Sequence, residues 1–199
     1  MSPKTIVFIG RSGCGKGTQA RLISEYLKAE DTEKREIFYV ETGAQFRKFI
    51  QGDSWTSRRS KEIYARNERQ PDFLAIWMWS HLFVENLTGE EHLLIDGTPR
   101  SLSEANVLNN ALGFYNRPAH IFHLGVSRAW AEHQLLARGR SDDKDMGQIT
   151  KRLDWFEKDV EPAIEYLKNH TKNNFFDING EQSIEKVHAD IMTALNIPK

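Results

Sequence analysis

The sequence predicts an α/β protein, helices layered on a five-stranded parallel sheet, and three observations predict it. Five short apolar runs, at 6–9, 37–40, 93–95, 121–124 and 175–178, are nearly continuous, as strands covered on both faces are. Segments of helical period separate them. The first run leads into the turn Gly10-Arg11-Ser12-Gly13-Cys14-Gly15-Lys16-Gly17-Thr18, after which helical spacing begins near Lys16.

That turn is the most informative segment. Its glycines let the backbone approach a ligand without a Cβ clash. N–H groups at a helix start, the positive end of the helix dipole and the Lys16 ammonium together favour a polyphosphate. The segment fits the P-loop pattern G-x-x-x-x-G-K-[ST] with one departure: Gly17 stands at the hydroxyl position and Thr18 follows it. Residues 30–36 are charged and read as a solvated loop before the second strand. Residues 42–72 are long, polar and helical in pattern. The helix over 73–87 carries Phe73, Ile76, Trp77 and Trp79, which read as core.

The run at 93–95 closes on Asp96, where a carboxylate can hold Mg²⁺ through its waters. His120 and His123 are three apart on the fourth strand, so they face opposite sides and do not chelate a metal together. Residues 138–147 are short, charged and flanked by glycine. Ile184, Val187, Ile191 and Leu195 mark the stripe of the last helix. The segments 42–72 and 138–147 interrupt the alternation where α/β proteins bind ligands, and both carry arginines.

Composition narrows the class. A chain of 199 residues with 39% hydrophobic and 28% charged side chains supports one sizeable core. A net charge of −1 speaks against a nucleic-acid binder. Cys14 stands alone, which excludes an internal disulfide and a multi-cysteine zinc site. The first apolar run is too short for a signal peptide, and none has membrane-spanning length. The expectation is a cytoplasmic monomer.

Five motifs occur in order along the chain: Gly13-x-Gly15-Lys16-Gly17-Thr18-Gln19, Thr42-Gly43-x-x-x-Arg47, Asp96-Gly97-x-Pro99-Arg100, Arg138-Gly139-Arg140-x-Asp142-Asp143 and Lys151-Arg152-Leu153. Their series resembles the adenylate kinases across essentially the whole chain. The resemblance implies a three-layer P-loop NTPase fold with strand order 2-3-1-4-5 and two small mobile flaps. The core would comprise 1–41, 73–137 and 148–199, with a monophosphate flap at 42–72 and a short lid at 138–147. It implies reversible phosphoryl transfer from MgATP to a nucleoside monophosphate, AMP first.

By the same resemblance Lys16, Arg100, Arg138, Arg140 and Arg152 serve the transfer. Gly13, Cys14, Gly15, Gly17, Thr18, Gln134 and Gln182 complete the ATP site. Thr42, Gly43, Arg47, Glu68, Arg69, Gln70, Gly97, Thr98 and Glu104 join Arg100, Arg140 and Arg152 around the monophosphate. Asp96 attends Mg²⁺, and no zinc is expected.

Four departures from the family pattern matter. Glu104 stands where glutamine usually reads adenine, and a carboxylate suits the two N–H donors of guanine better. Ser101-x-x-Glu104 is also a capping box, so a cap and a base reader are both open roles. Ala44 replaces an aspartate, Thr98 an aromatic, and Gln134 the arginine that stacks on the donor base. Gln70 also replaces an aliphatic residue in the acceptor-base loop. The alternatives are therefore a kinase for GMP or another monophosphate, and a nucleotide-binding module without turnover.

Overall fold

The structure, a computed structural model, describes residues 1–139, 145–169 and 171–196. Strand β1 (Thr5–Ile9) leads to helix α1 (Lys16–Glu30), β2 (Ile37–Glu41), α2 (Thr42–Phe49), α3 (Trp55–Ala65) and α4 (Asp72–Asn86). Next come β3 (His92–Asp96), α5 (Leu102–Phe114), β4 (His120–Gly125) and α6 (Arg128–Arg138). Helix α7 (Met146–Trp155) runs through a π-helical turn, Phe156–Val160, into α8 (Glu161–Asn169), and β5 (Asn174–Asn179) and α9 (Ile184–Ala194) follow.

The strands form one five-stranded sheet in the order β2-β3-β1-β4-β5, parallel at every pairing. From β1 the chain crosses to the edge strand β2, steps back to β3 beside β1, and then builds β4 and β5 on the other side. The order therefore reverses at β1, and the crevice at its carboxyl end is where such sheets bind ligands. The glycine turn emerges there.

Alternation along each buried strand divides the core into two layers. Val7, Ile9, Ile95 and Ile121 pack against Trp79 and Phe83 of α4, Leu108 of α5 and Leu167 of α8. Ile6, Phe8, Leu94 and Phe122 pack on the other face against Ile23 and Leu27 of α1 and Ile191 of α9. His120 stacks on Phe176, a neighbour of the α1–α9 layer, while His123 pairs with Asp177 and meets Phe175 of the opposite layer. The two histidines thus face apart, as their spacing requires. Among the described residues no helix is long and apolar enough to cross a membrane.

Several expectations need correction. Residues 42–72 are helical as read, but in two helices, because Ser54 caps a fresh start by accepting from the Ser57 N–H. Phe73 and Trp77 are 69% and 45% exposed, so neither is core. They lie one turn apart on the stripe of α4 that faces away from the sheet, while Trp79 and Phe83 face it. Trp77 stacks instead on the His81 ring, with centroids 4.2 Å apart. Ile184 is also exposed, whereas Val187, Ile191 and Leu195 keep the predicted stripe.

The stretch 30–36 is not simply solvated, since Asp31 is buried. Its carboxylate accepts from the Arg35 N–H and guanidinium. His92 accepts from the Lys4 N–H at Nδ1, which leaves its Nε2–H to donate to Asp31. Those hydrogen bonds hold the Asp31 carboxyl far below its usual range, against the opposing effect of burial. No pattern in the segment itself marks this, because β3 supplies the partner.

A second buried pair closes the opposite end of the sheet from the crevice. Arg117 donates to the Thr5 hydroxyl, the Glu91 carboxylate and the Glu91 carbonyl. Burial pushes the Glu91 carboxyl up, but bonds from Thr88 and the Arg117 charge bring it down to about 2. Removing one partner of a buried pair leaves the other charge uncompensated. Arg117→Ala is expected to lower unfolding free energy by about 3–5 kcal/mol in urea titrations at neutral pH.

Candidate active site

The glycine turn is held by covalent geometry and by one cation. Gly10 has φ of 148°, and a Cβ there would fall 2.6 Å from the Leu124 carbonyl oxygen of β4, so the close approach of the two segments requires glycine. Gly15 caps α1 in a left-handed conformation, with φ of 95°. Lys16 Nζ donates to the Gly10 and Arg11 carbonyls, both at 2.8 Å, and lies 3.6 Å from Cys14 Sγ. Arg11 ties the turn to the far side of the molecule. Its guanidinium reaches Glu157 and Glu161 and lies 4.6 Å from the Phe156 ring centroid.

The turn forms the floor of a cavity of about 1120 Å³. On the β4–β5 side of the floor it is lined by Trp130, Gln134 and Arg138 of α6 and by Gln182 and Ile184. On the β2–β3 side it is lined by Thr42, Gly43 and Arg47 of α2, the loop Glu68-Arg69-Gln70, Asp96, Arg100 and Glu104. Arg152 and Trp155 of α7 line it as well. Of the expected P-loop residues Gly13, Cys14, Gly15, Gly17 and Thr18 all border this cavity beside Lys16.

The cations converge. A Cβ added to Gly43 would stand 3.3 Å from Arg47 Nη1 and 3.6 Å from Arg100 Nη2, so both guanidiniums crowd the start of α2. Arg47 is paired with Glu41 at 2.7 Å. Arg100 folds back so that Nε donates to the Gly97 carbonyl at 2.6 Å, with its Cζ 6.0 Å from the Trp155 ring centroid. Burial pushes the Arg100 guanidinium pKa down, and the charges of Glu104 and Asp96 oppose it. Arginine geometry of this kind binds phosphate bidentately.

Asp96 and Glu41 are register partners at the carboxyl ends of β3 and β2. The Tyr39 hydroxyl donates to Asp96 Oδ2 at 3.1 Å. Burial pushes the Asp96 carboxyl up while the Lys16 charge and the Tyr39 bond pull it down. Adjacent carboxylates at a phosphate site suit a hard cation that keeps most of its waters, which fits Mg²⁺. Among the described residues there is no cluster of three metal-ligating side chains.

The expected site residues do not all behave alike. Thr98 is fully buried, its hydroxyl 2.6 Å from that of Thr42, and it does not line the cavity. It pins the turn after β3 to the start of α2 instead. Gly97 borders a small adjoining cleft with Arg100 and Lys16. The Gln70 amide is used on Ser60 of α3, and Glu68 is bound to Arg66. Arg69 bridges Asp72 and Asp159, tying its loop to the π-helical turn. Arg140 lies outside the described residues.

Glu104 does not complete the capping box. Ser101 caps α5, its hydroxyl accepting from the Glu104 N–H and donating to Asp72. The return bond of a capping box is missing: the Glu104 side chain is 1% exposed and both carboxylate oxygens lack a hydrogen-bond partner. Burial raises its carboxyl to about 7, against the pull of the Arg100 and Arg69 charges. Residues that the motifs did not identify also line the cavity: Tyr39, Glu41, Trp130 and Trp155. Only Glu41 carried a signal, as a charge closing an apolar run directly before Thr42-Gly43.

Comparison with known proteins agrees with this geometry. A sequence profile described as Adenylate kinase matches residues 8–172. An adenylate kinase of Prochlorococcus marinus strain MIT 9301 is 32% identical over 189 residues, covering 94% of this chain and 96% of that protein. One from strain MIT 9515 is 33% identical over 190 residues, with the same coverage of each. An adenylate kinase of Azobacteroides pseudotrichonymphae is 28% identical over 195 residues, covering 96% of both.

The Glu104 environment has a thermodynamic consequence. Its carboxyl is raised from 4.5 to about 7, so the folded state prefers the neutral form more than the unfolded chain does. That contribution is about 3 kcal/mol, at about 1.36 kcal/mol for each tenfold gain in proton affinity. It is complete at low pH and disappears as pH rises through about 7. Glu104→Gln is expected to stabilise the protein at about pH 8 and to change little at about pH 5, as read by urea denaturation.

Proposed function

Because this chain belongs to the adenylate kinase family, we propose that its acceptor is AMP, phosphorylated reversibly by MgATP to give ADP from both nucleotides. The chain is an ATP-dependent phosphotransferase acting on a nucleoside monophosphate. The observation that carries the proposal is the meeting of a P-loop lysine with Arg47, Arg100 and Arg152 in one cavity, with Asp96 between the strand ends.

The chemistry asks little of acid or base. The acceptor phosphate already carries lone pairs, so one of its oxygens bonds to the γ-phosphorus as the bond to the ADP oxygen breaks, with no proton to move. What the protein supplies is alignment and charge. The P-loop N–H groups and Lys16 hold the donor phosphates, and Arg47 and Arg100 hold the acceptor phosphate. Arg138, Arg140 and Arg152 spread charge over the transferring group from the other side. Asp96 would hold the Mg²⁺ that accompanies ATP, which would supply neutralisation of donor phosphate charge.

The donor base lies against Gln134, Gln182 and Trp130, the acceptor base against the α2–α3 side. Residues 42–72 act as the flap over the monophosphate and 138–147 as the lid over ATP, with 1–41, 73–137 and 148–199 as the core they close upon. Closure excludes water that would hydrolyse ATP. The single thiol and the nucleotide substrates fit a cytoplasmic enzyme, and we read the chain as a monomer.

Lys16→Ala and Arg100→Ala are each expected to lower ADP formation from MgATP and AMP at least about a hundredfold, the usual cost of losing a charge that meets the transition state. A product-resolved assay of both variants checks this, and near-normal turnover in either overturns the assignment.

A further inference from the structure

Glu104 is a buried acid whose carboxyl oxygens find no partner at hydrogen-bond geometry, although the nearby Arg100 N–H favours the charged form. Its side chain is 1% exposed, neither oxygen has a hydrogen-bond partner, and it borders the large cavity. Buried polar groups left in that condition are costly, and a ligand is the ordinary way to satisfy them. The phosphate-binding cations Arg47 and Arg100 lie close by, so the rest of the ligand reaches the neighbouring wall. There Phe46, Tyr64, Gln70 and Ala75 offer uncharged, largely apolar surface to a base, beside Glu68 and Arg69, whose charges are held by Arg66 and by Asp72 and Asp159.

We infer that Glu104 recognises the acceptor base as a neutral carboxylic acid, its O–H donating to adenine N1 and its carbonyl accepting from the 6-amino group, so that base choice depends on its proton. This rests on the reading of the chain as a monophosphate kinase. A neutral carboxyl presents one donor and one acceptor side by side, the same pattern as a primary amide. The ionised group presents two acceptors, which match the N1–H and N2–H donors of guanine and confront the adenine N1 lone pair. One residue thus serves two bases in two protonation states.

The surroundings support a titration near neutrality. Burial raises the carboxyl to about 7. Arg100, from the turn before α5, and Arg69, from the loop before α4, oppose that rise, and Asp72 of α4 adds to it. Arg69 is itself engaged by Asp72 and by Asp159 of the π-helical turn. Arg100 also feels Asp96, Arg47 and Arg152. A phosphate dianion bound at Arg100 offsets the guanidinium charge that draws the proton off, so an occupied site favours the neutral acid further.

The test compares kcat/KM for AMP and GMP between about pH 6.5 and 8.5 in the wild type and in Glu104→Gln. Both substrates carry the same phosphate, so their ratio cancels its titration. The AMP:GMP ratio is expected to fall about tenfold or more across that range in the wild type and to stay flat, favouring AMP, in the variant. A flat wild-type ratio, or an equal fall in the variant, overturns the inference while leaving the kinase reading intact. Calorimetry of AMP binding at about pH 8, in buffers of different ionisation enthalpy, gives a readout independent of turnover. Uptake of about one proton by the wild type and none by Glu104→Gln supports the inference. If that uptake occurs without ADP formation from any monophosphate, the kinase reading fails and the base recognition stands; no uptake overturns the inference.

Discussion

Holding several guanidiniums in one cleft is the constraint on which the rest of this structure depends. Two like charges about 6 Å apart repel by about 3 kcal/mol at an effective dielectric near 20, so each cation needs an anchor of its own. Arg47 has Glu41, Arg69 has Asp72 and Asp159, and Arg100 has the Gly97 carbonyl, while Arg11, in the P-loop outside the cavity lining, has Glu157 and Glu161. These anchors come from β2, α4, the π-helical turn, α8 and the turn after β3. The charge balance of the cleft therefore also ties the helical segments around it to the sheet.

Sheet topology sets where those anchors meet. Strand order reverses at β1, so the P-loop emerges between β3 on one side and β4 on the other. Segments that follow β2 and β3 build one wall of the cavity, and segments that follow β4 and β5 build the other. A cleft with two separately built walls over one phosphate-binding floor has room for the donor and the acceptor on opposite sides of that floor. The same arrangement explains why Gly43 leaves little room for a side chain: Arg47 and Arg100 already crowd the space beside it.

Glu104 shows how a local signal can be half right. The Ser101-x-x-Glu104 spacing describes a capping box, and the hydroxyl half forms. The carboxylate half does not: the Glu104 side chain borders the cavity and makes no bond to the Ser101 N–H, while the Ser101 hydroxyl donates to Asp72. Thr98 is a parallel case, an apparent ligand contact that proves to be a buried link to Thr42.

The sequence by itself determined which segments become strands and where the P-loop lies. Apolar runs, glycine spacing and ordered motifs are local quantities, and local geometry answers to them. Only the tertiary structure decided that Trp79 is core while Trp77 is exposed, that Asp31 is buried against His92, and that the Glu104 carboxyl is left without a partner. Each of those facts depends on an element far along the chain. Burial and protonation belong to an environment, and β3, α4 and the turn after β3 assemble that environment only when the sheet has closed.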